Sequence, residues 1–322
     1  MAPGGNLLFV VLAAALARAT PPQVAYAENG VLHIATSAGI VVRTIKTSVP
    51  ICDFAVARDF SKVVFVPCNT NRYGGELHIL DLKTGEVERL THGPYWTTDV
   101  TEATDNDELL REVYANPEFS PDGSRIVFAV RDIPADGGDT DAIEASGPLA
   151  TMDLDTRRVQ ILKSTLDVSV HEPAFANHPK WSLDGRQILV SFESGYAVVP
   201  SDGTTLRELD PTDLPDDSNW STAFGWVTDR CILTALGRDG NVGLVGIQLL
   251  TSRHPEPASK WLGFALENQQ DIESVQVSGN FALVCSEKQC QVFDLRSRHS
   301  LGRFPGGARF AQTTQCPLIQ CR

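Results

Sequence analysis

The sequence predicts an all-β chain folded as a six-bladed β-propeller of four-stranded antiparallel blades. Two repeated motifs and one incomplete unit predict it. The first motif is Asn116-Pro117-Glu118-Phe119-Ser120-Pro121-Asp122-Gly123-Ser124-Arg125-Ile126-Val127-Phe128, and it recurs from His178 to Val190. Each copy reads as strand, tight turn, strand. Pro121 pre-sets φ for the turn, Asp122 hydrogen-bonds nearby backbone, and Gly123 accepts positive φ. The second motif, Leu77 to Val87, is again strand, turn, strand. It recurs from Ala150 to Val159 and from Gln291 to Leu301, and more loosely from Tyr196 to Leu206 with Ser201-Asp202-Gly203 as the turn. One motif of each kind makes four antiparallel strands, which is one blade.

Taken in order, Leu7 to Ala17 is an apolar run of signal-peptide length, too short to span a bilayer. Ala15-Leu16-Ala17 and Ala17-Arg18-Ala19 both fit small-x-small cleavage, although Met1 to Asn6 carries no Lys or Arg. Residues 1–19 are therefore expected to be a signal peptide, and 20–322 a single propeller domain. No other segment is apolar enough to cross a membrane. Gln23 to Ile45 supplies only three strands. The missing innermost strand is expected from Ala308 to Thr314, so that both ends of the chain share one blade and no sheet edge stays open. Further blades begin near Ile51, Pro117, Pro179, Ala223 and Ile272. A seventh blade leaves too few residues.

The blade signature Pro-x-aromatic-Ser-Pro-Asp-Gly-x-x-Ile-x-Phe resembles that of the TolB-like six-bladed propellers. The match is strong at Pro117. At Pro179 it holds with Leu183 in place of the motif proline. Near Ile51, Ala57 to Phe65 keeps only the outline. The resemblance implies the fold and no single activity, because this superfamily holds periplasmic scaffolding proteins, the gating propellers of prolyl oligopeptidases and polysaccharide lyases. The chain has no Gly-x-Ser-x-Gly, no His-Glu-x-x-His, no phosphate-cradling glycine loop and no Cys-x-x-Cys.

Seven cysteines stand at 52, 68, 231, 285, 290, 316 and 321. Cys285 and Cys290 face each other at the mouth of a hairpin, Cys52 and Cys68 are symmetric about Phe60, and Cys316 and Cys321 close a short terminal loop. These three pairs are the expected disulfides, with Cys231 a buried thiol outside any bridge. Such usage fits a secreted or periplasmic protein. Asn219-Trp220-Ser221 is a glycosylation sequon.

Charge points toward function. The net charge is −13. Gly93 to Tyr114, Arg131 to Gly147 and Arg207 to Ser221 account for all of it between them. In a four-stranded blade (strands a to d) the a–b and c–d turns lie at one end, and the b–c loops and d-to-a crossovers at the other. Arg131 to Gly147 reads as a b–c loop, the other two as crossovers, and Ser252 to Asp271 as a further crossover. Tyr95, Trp96, Tyr114, Trp220 and Trp261 fall in or beside these loops. The expected binding rim is therefore Tyr95, Trp96, Asp99, Asp105, Asp107, Tyr114, Asn116, Asp136, Asp139, Asp141, His178, Asp213, Asp216 and Trp220. Such a rim repels nucleic acid and suits a basic protein or peptide, or an oligosaccharide.

The expectation is a monomeric, non-enzymatic, exported binding propeller without a cofactor. The alternative is a propeller lyase or hydrolase, with His171, Glu172 and His178 as candidate catalytic groups at the channel mouth. Asp136, Asp139 and Asp141 have the oxygen-rich spacing of a weak Ca²⁺ site but lack an EF-hand's bidentate Glu.

Overall fold

The computed structural model describes residues 22–28, 30–47, 49–68, 74–92, 110–134, 148–162, 177–192, 195–205, 207–209, 219–229, 231–238, 241–248, 257–264, 272–286, 289–297 and 299–310. These form six four-stranded antiparallel sheets. Blade 1 contains β1 (Gln23–Glu28), β2 (Val31–Thr36) and β3 (Val41–Lys46). Blade 2 contains β4 (Ile51–Val56), β5 (Lys62–Pro67), β6 (His78–Asp81) and β7 (Val87–Arg89). Blade 3 contains β8 (Leu110–Phe119), β9 (Arg125–Pro134), β10 (Leu149–Asp153) and β11 (Val159–Ile161). Blade 4 contains β12 (Asn177–Trp181), β13 (Gln187–Phe192), β14 (Gly195–Pro200) and β15 (Arg207–Leu209). Blade 5 contains β16 (Asn219–Thr228), β17 (Cys231–Arg238), β18 (Asn241–Gln248) and β19 (Pro257–Phe264). Blade 6 contains β20 (Ile272–Ser278), β21 (Phe281–Ser286), β22 (Gln289–Asp294) and β23 (His299–Pro305). The last strand, β24 (Arg309–Phe310), returns to blade 1, whose order is β24-β1-β2-β3.

The first strand of each blade is innermost. β24, β4, β8, β12, β16 and β20 touch one another in that order, and β20 touches β24 again, which closes the ring. Closure takes the expected form: Val24 pairs with Phe310 and Ala25 with Arg309. Residues 311–314 of the expected closing strand lie outside the described residues. Side-chain bonds to both neighbouring blades reinforce this pairing. The Phe310 amide donates to Gln276 Oε1 of β20 at 2.7 Å, and Arg309 stands 3.8 Å from Asp53 of β4.

The core lies between blades rather than within them. Val64, Leu77 and Ile79 of blade 2 pack with Phe119, Ile126, Phe128 and Met152 of blade 3. Val127 and Ala129 of blade 3 pack with Trp181, Ile188 and Val190 of blade 4. Val24 and Phe310 of blade 1 pack with Leu283, Val292 and Phe304 of blade 6. This layering requires inner and middle strands that are apolar on both faces, and it explains the continuous apolar runs in the motifs.

The motif residues hold the turn end of the ring. Ser120 is buried, donates from its hydroxyl to Asp122 at 2.6 Å and accepts from the Arg125 amide at 2.9 Å. Ser182 repeats this with Asp184 at 2.7 Å and the Gln187 amide at 2.9 Å. Gly123 and Gly185 take the positive φ that the turn needs, 73° and 71°. Each second-motif turn then donates back to the first. The amides of Leu82, Leu154, Ser201 and Leu295 bond the carbonyls of Ser61, Ser124, Arg186 and Asn280. Two tryptophans bond neighbouring blades. Trp181 Nε1 donates to the Glu118 carbonyl at 3.3 Å, and Trp226 Nε1 to the Lys180 carbonyl at 2.8 Å. An ion pair of 2.7 Å, mostly buried, joins Lys180 to Glu118 beside them.

Several expectations are corrected. Ser252 to Asp271 is not a single crossover, because Pro257–Phe264 forms β19 and Trp261 lies on it. An outer strand exposes one face and needs no apolar run, so it left little signal. Cys52–Cys68 and Cys285–Cys290 form as expected. Cys231 is buried but is itself disulfide-bonded. The expected Cys316–Cys321 bridge lies outside the described residues.

Two predictions follow from this architecture. Removing residues 306–322 takes away β24 and is expected to lower the melting temperature sharply; an unchanged melting curve contradicts the closure. The carboxyl of Asp122 is held below the ordinary aspartate range, first by the Ser120 hydroxyl. It therefore stabilises the fold above that range, and the contribution is lost as pH falls through its folded value. Asp122→Asn is expected to lower the melting temperature more at about pH 7 than at about pH 3. An equal offset at both pH values in calorimetry contradicts this.

Candidate functional site

Every inner strand that opens a blade within the chain carries a register shift a few residues before its a–b turn. The shifts fall between Ile51 and Asp53 in β4, Ala115 and Glu118 in β8, and Asn177 and Lys180 in β12. They fall between Trp220 and Phe224 in β16, and between Ile272 and Ser274 in β20. A β-bulge leaves one residue unpaired and re-aims side chains, and bulges gather at barrel rims and functional sites. Here they form a ring around the channel at the end away from the Ser-Asp-Gly turns.

The best defined part of that ring joins blades 1, 2 and 3. Asn116 sits in the β8 bulge at φ 52°, a conformation that asparagine tolerates better than most residues. Its amide N–H donates to Asp53 Oδ2 at 2.6 Å. With its side-chain amide oriented to satisfy both ends, the nitrogen donates to the same Asp53 oxygen at 3.3 Å and the oxygen accepts from Arg131 at 3.2 Å. Arg309 approaches the other Asp53 oxygen at 3.8 Å, and its side chain is 12 % exposed. Burial pushes the Arg131 guanidinium below its ordinary value, and the Asp53 charge opposes that shift. One carboxylate thus organises two guanidinium groups and a strained asparagine across three blades. This arrangement suits recognition of a polar ligand, because the donors are held in place before anything binds. Among the described residues no group of three or more His, Cys, Asp or Glu side chains is arranged to hold a metal ion.

The blade 2 b–c loop docks beside this cluster. Gly75 exchanges two backbone bonds with Tyr114, of 3.0 and 2.9 Å. A Cβ at Gly74 would lie 2.4 Å from the Tyr114 carbonyl oxygen, so only glycine permits the approach.

The expected site residues divide accordingly. Asn116 is in the cluster, and His178 lies at the matching bulge of β12. Tyr114 is not a rim anchor. It is buried in β8, packs edge-on against Phe128, and donates to Glu112 at 2.7 Å. The apolar pattern of β8 runs past the bulge, so Tyr114 joins the core. Trp220 lies in β16, paired with Leu236, and its side chain is not described. Tyr95, Trp96, Asp99, Asp105, Asp107, Asp136, Asp139, Asp141, His171, Glu172, Asp213 and Asp216 lie outside the described residues. Sequence reasoning missed Asp53, Arg131 and Arg309. Asp53 lies two residues past the predicted blade start at Ile51, the register at which a bulge residue turns to the channel, and that signal was present in the sequence.

The strand bounds also sort the connections. The a–b and c–d connections are short, the longest being 249–256. The longer ones are b–c or d-to-a connections: 68–77, 90–109, 135–148, 162–176 and 210–218. At the opposite end, an open cleft of about 450 Å³ lies between the a–b turns of blades 2 and 3. Its lining balances Arg58 and Lys62 against Asp59 and Asp122.

No protein-family model matches the chain, and no curated protein matches it. Solved structures do. An oligogalacturonate lyase in complex with manganese is 11% identical with a TM-score of 0.52, covering 84% of this chain and 69% of that one. The Cps50 (Swd1) β-propeller domain of Myceliophteria thermophila is 12% identical with a TM-score of 0.50, covering 90% and 84%. TolB from Acinetobacter baumannii is 16% identical with a TM-score of 0.48, and the match spans 89% of this chain but only 65% of that one. At these identities the likeness is one of fold alone, a β-propeller.

The cluster generates a test of its own. Asn116→Val forces a β-branched residue to positive φ and is expected to destabilise by about 1–2 kcal/mol more than Asn116→Gly. Urea unfolding of both variants measures this, and the reverse order contradicts the strained role of Asn116.

Proposed function

We propose that the chain is an exported, non-enzymatic binding propeller that takes a basic protein or peptide segment at the end bearing its long connections. The observation that carries this reading is charge placed by connectivity. Connection 90–109 holds Asp99, Glu102, Asp105, Asp107 and Glu108. Connection 135–148 holds Asp136, Asp139, Asp141 and Glu144. Connection 210–218 holds Asp210, Asp213, Asp216 and Asp217. None of the three contains a lysine or arginine. The strands that bound all three belong to blades 2 to 5, and in this reading the acids gather on that side of the ring. Connections among blades 6, 1 and 2, the longest being 68–77, are nearly neutral. A one-sided field of this kind steers a cationic partner and fixes its orientation. Disulfides in blades 2 and 6 support an oxidising compartment. The TolB-like blade signature is consistent with a scaffolding role.

A propeller enzyme is the second reading, and Asp53, Arg131 and Arg309 converging near the channel favour it. Against it, the Asp53 carboxylate is committed to Asn116 and the arginines, and a general base must be available to substrate.

The test uses a lysine-rich peptide as probe. Replacing Asp99, Asp105, Asp107, Asp136, Asp139, Asp213 and Asp216 together by Asn is expected to slow its association at least tenfold at low ionic strength and to flatten the salt dependence. The fold is expected to survive, because exposed charges contribute little to stability. Equal association rates for variant and parent in stopped-flow contradict the proposal.

A further inference from the structure

The outer strands of the ring differ from blade to blade. In blades 2, 3 and 4 the outermost strand is three residues long, which blunts the exposed sheet edge. In blade 1 it is β3, of six residues, and in blade 6 it is β23, of seven. Ile40, Val41, Val42 and Leu301 are the large apolar side chains that stand exposed among the described residues, Ile40 at 67 % and Val42 at 52 %. All four sit at the seam of blades 6 and 1. Gly302 of β23 packs on the 37–39 turn that leads into β3, and a Cβ there would lie 2.6 Å from the Ser37 carbonyl oxygen. This close approach brings Leu301 to the same edge as Ile40, Val41 and Val42.

We propose that this edge is a second docking surface, at which an extended segment of a partner protein, alternating apolar and acidic side chains, adds to β3 as a fifth strand of blade 1. The main chain sets the form of the ligand. β3 ends its sheet, paired on one side with β2, and its other edge presents amide and carbonyl groups to an incoming strand. The register shift between Ile34 and Ala35 leaves Val42 as an extra residue between Val41 and Arg43. Val41 and Val42 are both exposed there.

Charge sets the kind of partner. β3 and β23 hold Arg43, Lys46 and Arg303 and no acid, although the chain carries −13 overall. Arg43 donates to the Leu82 carbonyl of blade 2, which pins β3 and keeps a positive charge at its edge. Strand addition lays apolar side chains of the partner over Val41, Val42 and Leu301 and sets its acids beside Arg43 and Lys46. A second copy of this chain is a poor occupant, because it brings the same Arg43 and Lys46 and no acid on either strand to face them. This surface is separate from the acidic connections of the loop-bearing end, and neither reading rests on the other.

An alternating valine–glutamate peptide of about eight residues is the probe, matched to the length of a strand. Hydrogen exchange of the full chain with saturating probe is expected to slow at the amides of residues 41–46 and to stay unchanged at residues 87–89 of β7. Val42→Asp and Lys46→Glu are each expected to weaken probe binding about tenfold in fluorescence anisotropy. Both side chains are exposed, so both variants are expected to keep the parent melting temperature. No binding, protection away from β3, or equal affinity of both variants and parent overturns the proposal. A dimer of the parent chain in sedimentation that Val42→Asp abolishes assigns the patch to a second copy and overturns it too. So does parent binding to phosphatidylglycerol vesicles that Val42→Asp abolishes. If a variant does not fold, the exchange pattern of the parent chain still decides the site.

Discussion

The pairing of the last strand with the first holds the whole structure. A propeller core lies between blades, so each blade needs a neighbour on both sides. Without β24 in place, β1 loses its inner partner and the apolar face shared by blades 6 and 1 opens to water. Val24, Leu283, Val292 and Phe310 are all buried there. The seal is made firm by bonds from both sides: Gln276 from blade 6, and Asp53 through Arg309 from blade 2. Asp53 also holds Asn116 of blade 3. One carboxylate thus links closure to the channel cluster, and a change at the closing strand reaches the residues most suited to recognition.

The two ends of the ring serve different demands. At the turn end, aspartates act as backbone acceptors. Asp81, Asp153 and Asp294 each accept amide bonds within their own turns, and Asp122 and Asp184 do so beside buried serines. These acids are structural, and their positions recur from blade to blade. The acids of 90–109, 135–148 and 210–218 follow no repeat. Gathered at the other end, as the proposed reading has them, they would raise like-charge repulsion that the fold does not require. Such an arrangement is understandable if a cationic partner relieves it.

Much of the architecture was legible because the same physics was written several times. Ser-x-Asp-Gly marks a buried hydroxyl between an aspartate and a strand amide, and two copies sufficed to set the blade period. The missing fourth strand of blade 1 announced its own replacement from the other end of the chain. The hairpin disulfides were legible because facing positions can be counted. The rest depended on long-range geometry. That Cys231 is bonded had no local mark, β19 lacks the alternation of a half-buried strand, and Tyr114 looks like a loop aromatic until β8 is seen to extend past its bulge. The channel cluster draws Asp53, Asn116, Arg131 and Arg309 from three blades, and no local pattern names all four.

The central claim is that the acidic half of the loop-bearing end is the binding face. Hydrogen exchange of the full chain, with and without saturating lysine-rich peptide, tests it directly. The account predicts slowed exchange at the loop-side ends of blades 3 and 5, in residues 110–115, 131–134 and 219–223, with no change at Ser120 to Arg125 or Ser182 to Gln187. Protection at those turns, or spread evenly around the six blades, would contradict it.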